Sequence, residues 1–195
     1  MTLIETLVSL GIFLMIFVAV VGYQVSIFSN QRAVAGSFDT ALNAQVILKT
    51  MLKELRESAP AMNGSYTIAS AGTSSISFFS DPDNDGQTEQ ITYSLIGKTL
   101  YRAVIQPSGS PAVYNPATQA TSSILYDVLN GTSTPVFQYY DQNYTGTSSP
   151  LSLPISISSV RLIDISLSIG STQNILQAPR TYTTQVSLRN LKTNL

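Results

Sequence analysis

Twenty-six uncharged positions separate Glu5 from Arg32, and all nine prolines lie at or beyond Pro60. Within that gap residues 7–23, LVSLGIFLMIFVAVVGY, are almost wholly apolar. A bilayer core of about 30 Å takes roughly 20 helical residues, so one helix from this stretch spans or nearly spans it. The absence of proline from the first 59 residues lets the same helix run on without a break. Prolines and turn residues punctuate everything that follows, which therefore reads as strands and loops. A secretory signal peptide fits the start poorly. An acid rather than a basic segment precedes the apolar run, and no A-x-A site follows it.

Residues 31–58 continue the helix in amphipathic form. Phe38, Ala41, Gln45, Leu48, Leu52, Leu55 and Ala59 step by three and four and lay one stripe along one face. Lys49, Lys53, Glu54, Arg56 and Glu57 fall off that stripe and are expected to face water or a partner, with Lys53 and Glu57 spaced for an i, i+4 pair. Residue 59 precedes a proline, which ends the helix. Three parts follow. Residues 1–30 form an apolar transmembrane or filament-core half that protrudes, residues 31–59 an amphipathic half packed on a head, and residues 60–195 the β-rich head itself.

In the head the apolar pattern has period two. Residues 75–80 read as a strand, and residues 90–96 and 99–105 flank Gly97-Lys98, a two-residue loop with glycine first, as a type II′ hairpin requires. That register sets Leu95 opposite Leu100, Tyr93 opposite Arg102 and Ile91 opposite Val104. Further strands are expected at residues 124–129, 136–140, 163–169 and 182–188. An antiparallel sheet laid on the second helix half makes the fold class α+β. Residues 106–123 and 141–154 read as long loops. Tyr114, Tyr139, Tyr140 and Tyr144, in or beside them, serve equally well as contact residues or as sheet filler.

Absences exclude much chemistry. The chain has no Cys and no His, so thiol nucleophiles, zinc sites, disulfides and imidazole bases are excluded. Lys and Arg number 10 against 11 Asp and Glu, a net charge of −1 with no basic cluster, which gives nucleic acid nothing to bind. Solubility comes from hydroxyls, 27 Ser and 20 Thr, a balance common among exported surface proteins. No nucleophile–base set accompanies the acids, so no enzyme is expected. Sequons at Asn63, Asn130 and Asn143 read as chance in a Ser/Thr-rich chain.

One motif resembles a site. Asp81-Pro82-Asp83-Asn84-Asp85-Gly86 has D-x-D-x-D-G spacing, which gathers carboxylates on one side of a tight turn, with Gly86 permitting the bend. Glu89 stands ninth and adds a fourth acid. The twelfth position, where an EF-hand supplies its bidentate Glu, is Thr92, and strands rather than helices flank the motif. An EF-hand is not expected. The expected ligands for calcium are Asp81, Asp83, Asp85 and Glu89, against the plainer reading of a solvated Asp/Asn/Gly turn.

Met1-Thr2-Leu3-Ile4-Glu5, followed by Thr6-Leu7-Val8-Ser9-Leu10-Gly11-Ile12, resembles the mature N-terminus of the type IV pilin and pseudopilin family. The resemblance implies a pilin-like fold. It also implies that a prepilin peptidase cuts before Met1 and methylates the new amine, and that Glu5 pairs with the N-terminal amine of a neighbouring subunit. Two features depart from the family pattern: Met stands where Phe is usual, and the helix-breaking proline of many major pilins is missing. With no leader before Met1, the chain reads as already processed. Residues 76–102, ISFFSDPDNDGQTEQITYSLIGKTLYR, are similar to minor pilins and J-type pseudopilins. The implied role is a non-enzymatic filament subunit of a type IV pilus or type II secretion system. Its implied partners are other pilin or pseudopilin subunits and prepilin peptidase. Its implied location is the inner membrane before assembly, then an extracellular or periplasmic filament. Two alternatives stand beside it: a major pilin, and a membrane-anchored monomeric module that binds in a calcium-dependent way. A plain anchor has no use for Glu5.

Overall fold

The computed structural model describes residues 2–170 and 179–188, with the side chains of residues 29–40 left outside that description. Met1 of the processing assignment and Phe38 of the helix stripe therefore lie outside the described residues. Helix α1 runs Leu3–Arg56. Thr2 caps it: the Thr2 carbonyl accepts the Glu5 and Thr6 amides, and the Glu5 carboxylate accepts the Thr2 N–H at 3.3 Å. This is the backward-reaching half of a capping box.

The chain divides into two compact units between Thr40 and Ala41. In the first, Leu3–Phe28 has a mean hydropathy of 2.5 and is long and apolar enough to cross a membrane. A membrane anchor and a signal sequence both meet that description. Every described side chain in it is exposed, including Leu7, Ile12, Phe13 and Phe17.

The second unit contains the last turns of α1 and a set of antiparallel strands. They are β1 (Ile68–Ala71), β2 (Ser75–Ser80), β3 (Glu89–Ile96), β4 (Thr99–Ile105), β5 (Pro107–Ser108), β6 (Val113–Tyr114), β7 (Ala120–Leu125), β8 (Phe137–Tyr140), β9 (Leu162–Ile169) and β10 (Arg180–Ser187). One sheet has the order β1-β2-β3-β4-β7, a second β10-β9-β8, and β5 pairs with β6. The fold is α+β. The central hairpin has the expected register, with Leu95 opposite Leu100, Tyr93 opposite Arg102 and Ile91 opposite Val104. Gly97 at φ 63° makes the turn, a conformation that costs glycine little.

Ala44, Leu48, Met51 and Leu55 of α1 pack with Ile76, Phe78, Ile91, Tyr93 and Leu100 of the larger sheet and with Phe137, Ile163, Ile165 and Leu167 of the smaller. The buried helix face is thus turned from the expected stripe toward Ala44 and Met51, leaving Gln45 exposed and Leu52 half-buried. Of the two surroundings expected for Glu54, water or a partner, the structure gives the partner: it lies on this buried face. Lys53 and Glu57 do pair, at 3.8 Å on the exposed side.

Three segments differ from expectation. The strand expected at residues 124–129 lies earlier: β7 ends at Leu125, and Val128 makes an isolated bridge to Ile169. Residues 106–123 are not one loop: they hold the β5–β6 hairpin, a 3-10 turn at Pro116–Thr118 and the start of β7. Strand β1 carried too short a pattern to be read beforehand. The smaller sheet is tied to the larger by the Tyr139 hydroxyl, which donates to the Gly72 carbonyl at 2.9 Å, and by the Val136 and Phe137 amides on the Thr73 carbonyl. Asn130 uses its side chain on the carbonyls of Thr134 and Ser166 and on the Ser168 amide, so its sequon serves packing.

Candidate metal centre

Strands β2 and β3 pair as far as Ser80 opposite Glu89, and the chain between them is the acidic turn. Its shape comes from its own side chains. Asp81 accepts the amides of Asp85 at 3.2 Å and Gly86 at 3.0 Å, closing the turn on itself. Asn84 at φ 59° and Gly86 at φ 87° adopt the left-handed conformation that these two residue types tolerate best. Gly86 does what the motif reading asked of it.

Asp81, Asp83 and Glu89 each bring a carboxylate oxygen within 4.8 Å of the others. Such a group can hold a metal ion. Asp85 is not part of it: its carboxylate accepts the Gln87 amide at 2.8 Å and the Gln87 side-chain amide at 3.1 Å. Spacing alone had placed all three aspartates on one side of the turn; the local hydrogen bonds send the third elsewhere.

Glu89 is the unusual member. Its relative exposure is 0%, and neither carboxylate oxygen has a hydrogen-bond partner. Burial pushes its pKa above the ordinary value of 4.5, and the charges of Asp83, Asp85 and Asp81 push it further, while its own amide works the other way. A buried carboxylate without a partner is costly unless it is neutralised or coordinated. Three hard oxygen donors, one of them shielded from water, suit an oxygen-loving divalent cation.

Tyr114 meets both flanks of the turn from outside the motif. Its hydroxyl donates to the Thr88 carbonyl at 2.7 Å and accepts the Met62 amide at 3.1 Å. Its ring lies 4.9 Å from that of Phe79, centroid to centroid. Sequence reading left it undecided between contact residue and filler, because nothing local links it to a turn some 25 positions away. Of the other tyrosines, Tyr139 and Tyr140 are buried in the smaller sheet, and Tyr144 rests its ring against Tyr140 at 4.3 Å.

A second buried carboxylate joins helix to sheet. The Glu54 carboxylate accepts the Tyr93 hydroxyl at 2.6 Å and, in a two-pronged contact, Arg102 Nη2 at 2.7 Å and Nε at 3.3 Å. Burial raises the Tyr93 pKa and the Glu54 charge raises it further. Burial acts against the Arg102 charge, but the hydrogen bond and charge of Glu54 outweigh it and raise that pKa too.

In the first unit, Glu5 is exposed in the opening turn of α1, on a surface it shares with Ile4, Val8 and Ile12. Its backbone carbonyl also accepts the Ser9 hydroxyl.

No protein-family model matches this chain, and no curated protein matches it significantly.

Proposed function

We propose that this chain is a non-enzymatic filament subunit, a minor pilin or pseudopilin of a type IV pilus or type II secretion system. It is held in the inner membrane by its apolar helix and assembled through that helix into an extracellular or periplasmic filament. The observation that carries this reading is Glu5, a single carboxylate opening an otherwise exposed, uncharged helix of membrane-spanning length. An acid at the margin of such a segment is costly among lipid tails, so its presence calls for a specific partner. The N-terminal amine of a neighbouring subunit, freed at Met1 by prepilin peptidase and methylated, supplies one. The bond from the Thr2 amide occupies one Glu5 oxygen only.

The cation we assign to Asp81, Asp83 and Glu89 is calcium. Calcium accepts six to eight oxygen ligands in flexible geometry, whereas magnesium demands a near-ideal octahedron and gives up water reluctantly. Water and main-chain oxygens complete the shell.

The test of the filament reading is Glu5→Val in the native membrane. Insertion should be intact, because the change removes a penalty. Incorporation into filaments, counted by electron microscopy, should fall roughly tenfold or more as a desolvated ion pair loses one member. Normal assembly would overturn the ion-pair role. A wild-type protein that forms no filaments would leave the anchored, calcium-dependent module in its place.

A further inference from the structure

We propose that Tyr114 is a positioning residue for the cation site: by holding both flanks of the acidic turn it makes Asp81, Asp83 and Glu89 converge, and cation binding strengthens its grip in return. The inference rests on the calcium reading above.

The geometry has three parts. Phe79, under the Tyr114 ring, stands two residues before Asp81, and Thr88, whose carbonyl takes the Tyr114 proton, stands one residue before Glu89. The same hydroxyl accepts the Met62 amide, and the Ala59 amide donates to the Phe79 carbonyl at 3.0 Å. The segment just after α1 is thereby tied to both ends of the turn. A tyrosine hydroxyl has one proton and two lone pairs; here the proton goes to the Thr88 carbonyl, one lone pair takes the Met62 amide, and the Thr88 hydroxyl lies 3.4 Å from the same oxygen.

The need for a clamp follows from charge. Three carboxylates with oxygens within 4.8 Å repel one another, and neither Glu89 oxygen has a partner beyond its own residue to offset its burial. The strand ladder stops at the Ser80–Glu89 pair; beyond it the Asp81 bonds, the Thr88 hydroxyl on the Pro60 carbonyl at 3.4 Å, and Tyr114 oppose splaying. This buried, unpartnered Glu89 oxygen pair is what marks the cluster as a ligand site rather than a solvated acidic turn. A device that pre-forms the site raises cation affinity. By linkage, the cation must then tighten the device by the same factor.

The experiment uses the full chain in detergent micelles, titrated with calcium chloride by calorimetry, comparing wild type with Tyr114→Phe. The variant keeps the ring on Phe79 and loses the hydroxyl's bonds to the Thr88 carbonyl and the Met62 amide, together with its 3.4 Å contact with the Thr88 hydroxyl. Its calcium Kd should rise on the order of fivefold, because the lost bonds act on the cation only through the geometry of the turn. A merely structural tyrosine would lower the melting temperature equally in calcium and in chelator and leave Kd unchanged, and that result overturns the proposal while sparing the calcium reading. Wild-type protein that takes up no calcium overturns the calcium reading itself. A second measurement needs no variant: the Met62 amide of the wild type should exchange its hydrogen several-fold more slowly in calcium than in chelator. Equal exchange rates overturn the coupling.

Discussion

Glu54 and Glu89 are buried almost alike, at 5% and 0% exposure, beside the same sheet. Strand β3 carries Glu89 at its start and, four residues on, the Tyr93 that donates to Glu54. Their surroundings are opposite. Glu54 has a hydroxyl and a two-pronged guanidinium, so its charge is met by donors on every side that matters. Glu89 has none, and its nearest charged neighbours are acids. Burial by itself therefore does not say what a carboxylate contributes. The helix–sheet seam is electrostatically complete and acts as structure. The acidic turn holds unused acceptor oxygens on Glu89, and that is what makes it a site.

The contrast can be broken from either end. The largest effect is expected at the seam. Glu54→Ala leaves Arg102 and Tyr93 without their acceptor and should cost about 3–5 kcal/mol in chemical denaturation, since removing one member of a buried pair strands the other. A loss below about 1 kcal/mol would mean that the apolar contacts of Met51 and Leu55 hold the helix by themselves. Next in size is the cation. At 100 times its Kd, calcium should add about 2.7 kcal/mol relative to chelator, visible as a higher melting temperature. Asp83→Ala should abolish that difference and Asp85→Ala should keep it, because only the first carboxylate faces the cluster. The opposite pattern would restore the plain D-x-D-x-D assignment.

The smallest effect sharpens the comparison most. Glu89→Gln removes an unpartnered charge, so in chelator it should raise stability by about 1–2 kcal/mol while ending the response to calcium. The pH dependence has a defined sign. A carboxyl whose folded pKa is raised contributes stability that is fully present below its unfolded value, near 4.5, and is lost as pH rises through the folded value. In chelator, then, the wild type should lose this contribution as pH climbs above 4.5, and Glu89→Gln should not. A matching loss in the variant would locate the titration elsewhere.

Some of this was readable before any coordinates. The β3–β4 register followed from Gly97-Lys98, because a two-residue loop leaves one pairing and alternation chooses the faces. Strand β7 starts four residues before the strand expected from residue 124, because residues 120–123 lie at a sheet edge with their side chains exposed, and a strand in water on both faces shows no alternation. Off the apolar stripe, Glu54 is expected to face water or a partner, and the stripe does not say which, because it is drawn from apolar residues and passes over a charged one. Its partners lie 39 and 48 positions away, where no helical period reaches. Asp85 was grouped with Asp81 and Asp83 because spacing places Cα atoms, whereas a local bond to Gln87 decides where a carboxylate points.

The sequence by itself determined the division of labour in this protein: an uncharged run with no proline can only be a long apolar helix, and a Ser/Thr-rich, period-two remainder can only cover itself by pairing strands. Those outcomes depend on neighbours a few residues apart. Only the tertiary structure decided which acids are satisfied and which stay open to a cation. That choice depends on donors delivered from other strands, Tyr93 and Arg102 to Glu54 and none to Glu89, and a charge removed from water is governed by what lies within about 4 Å of it.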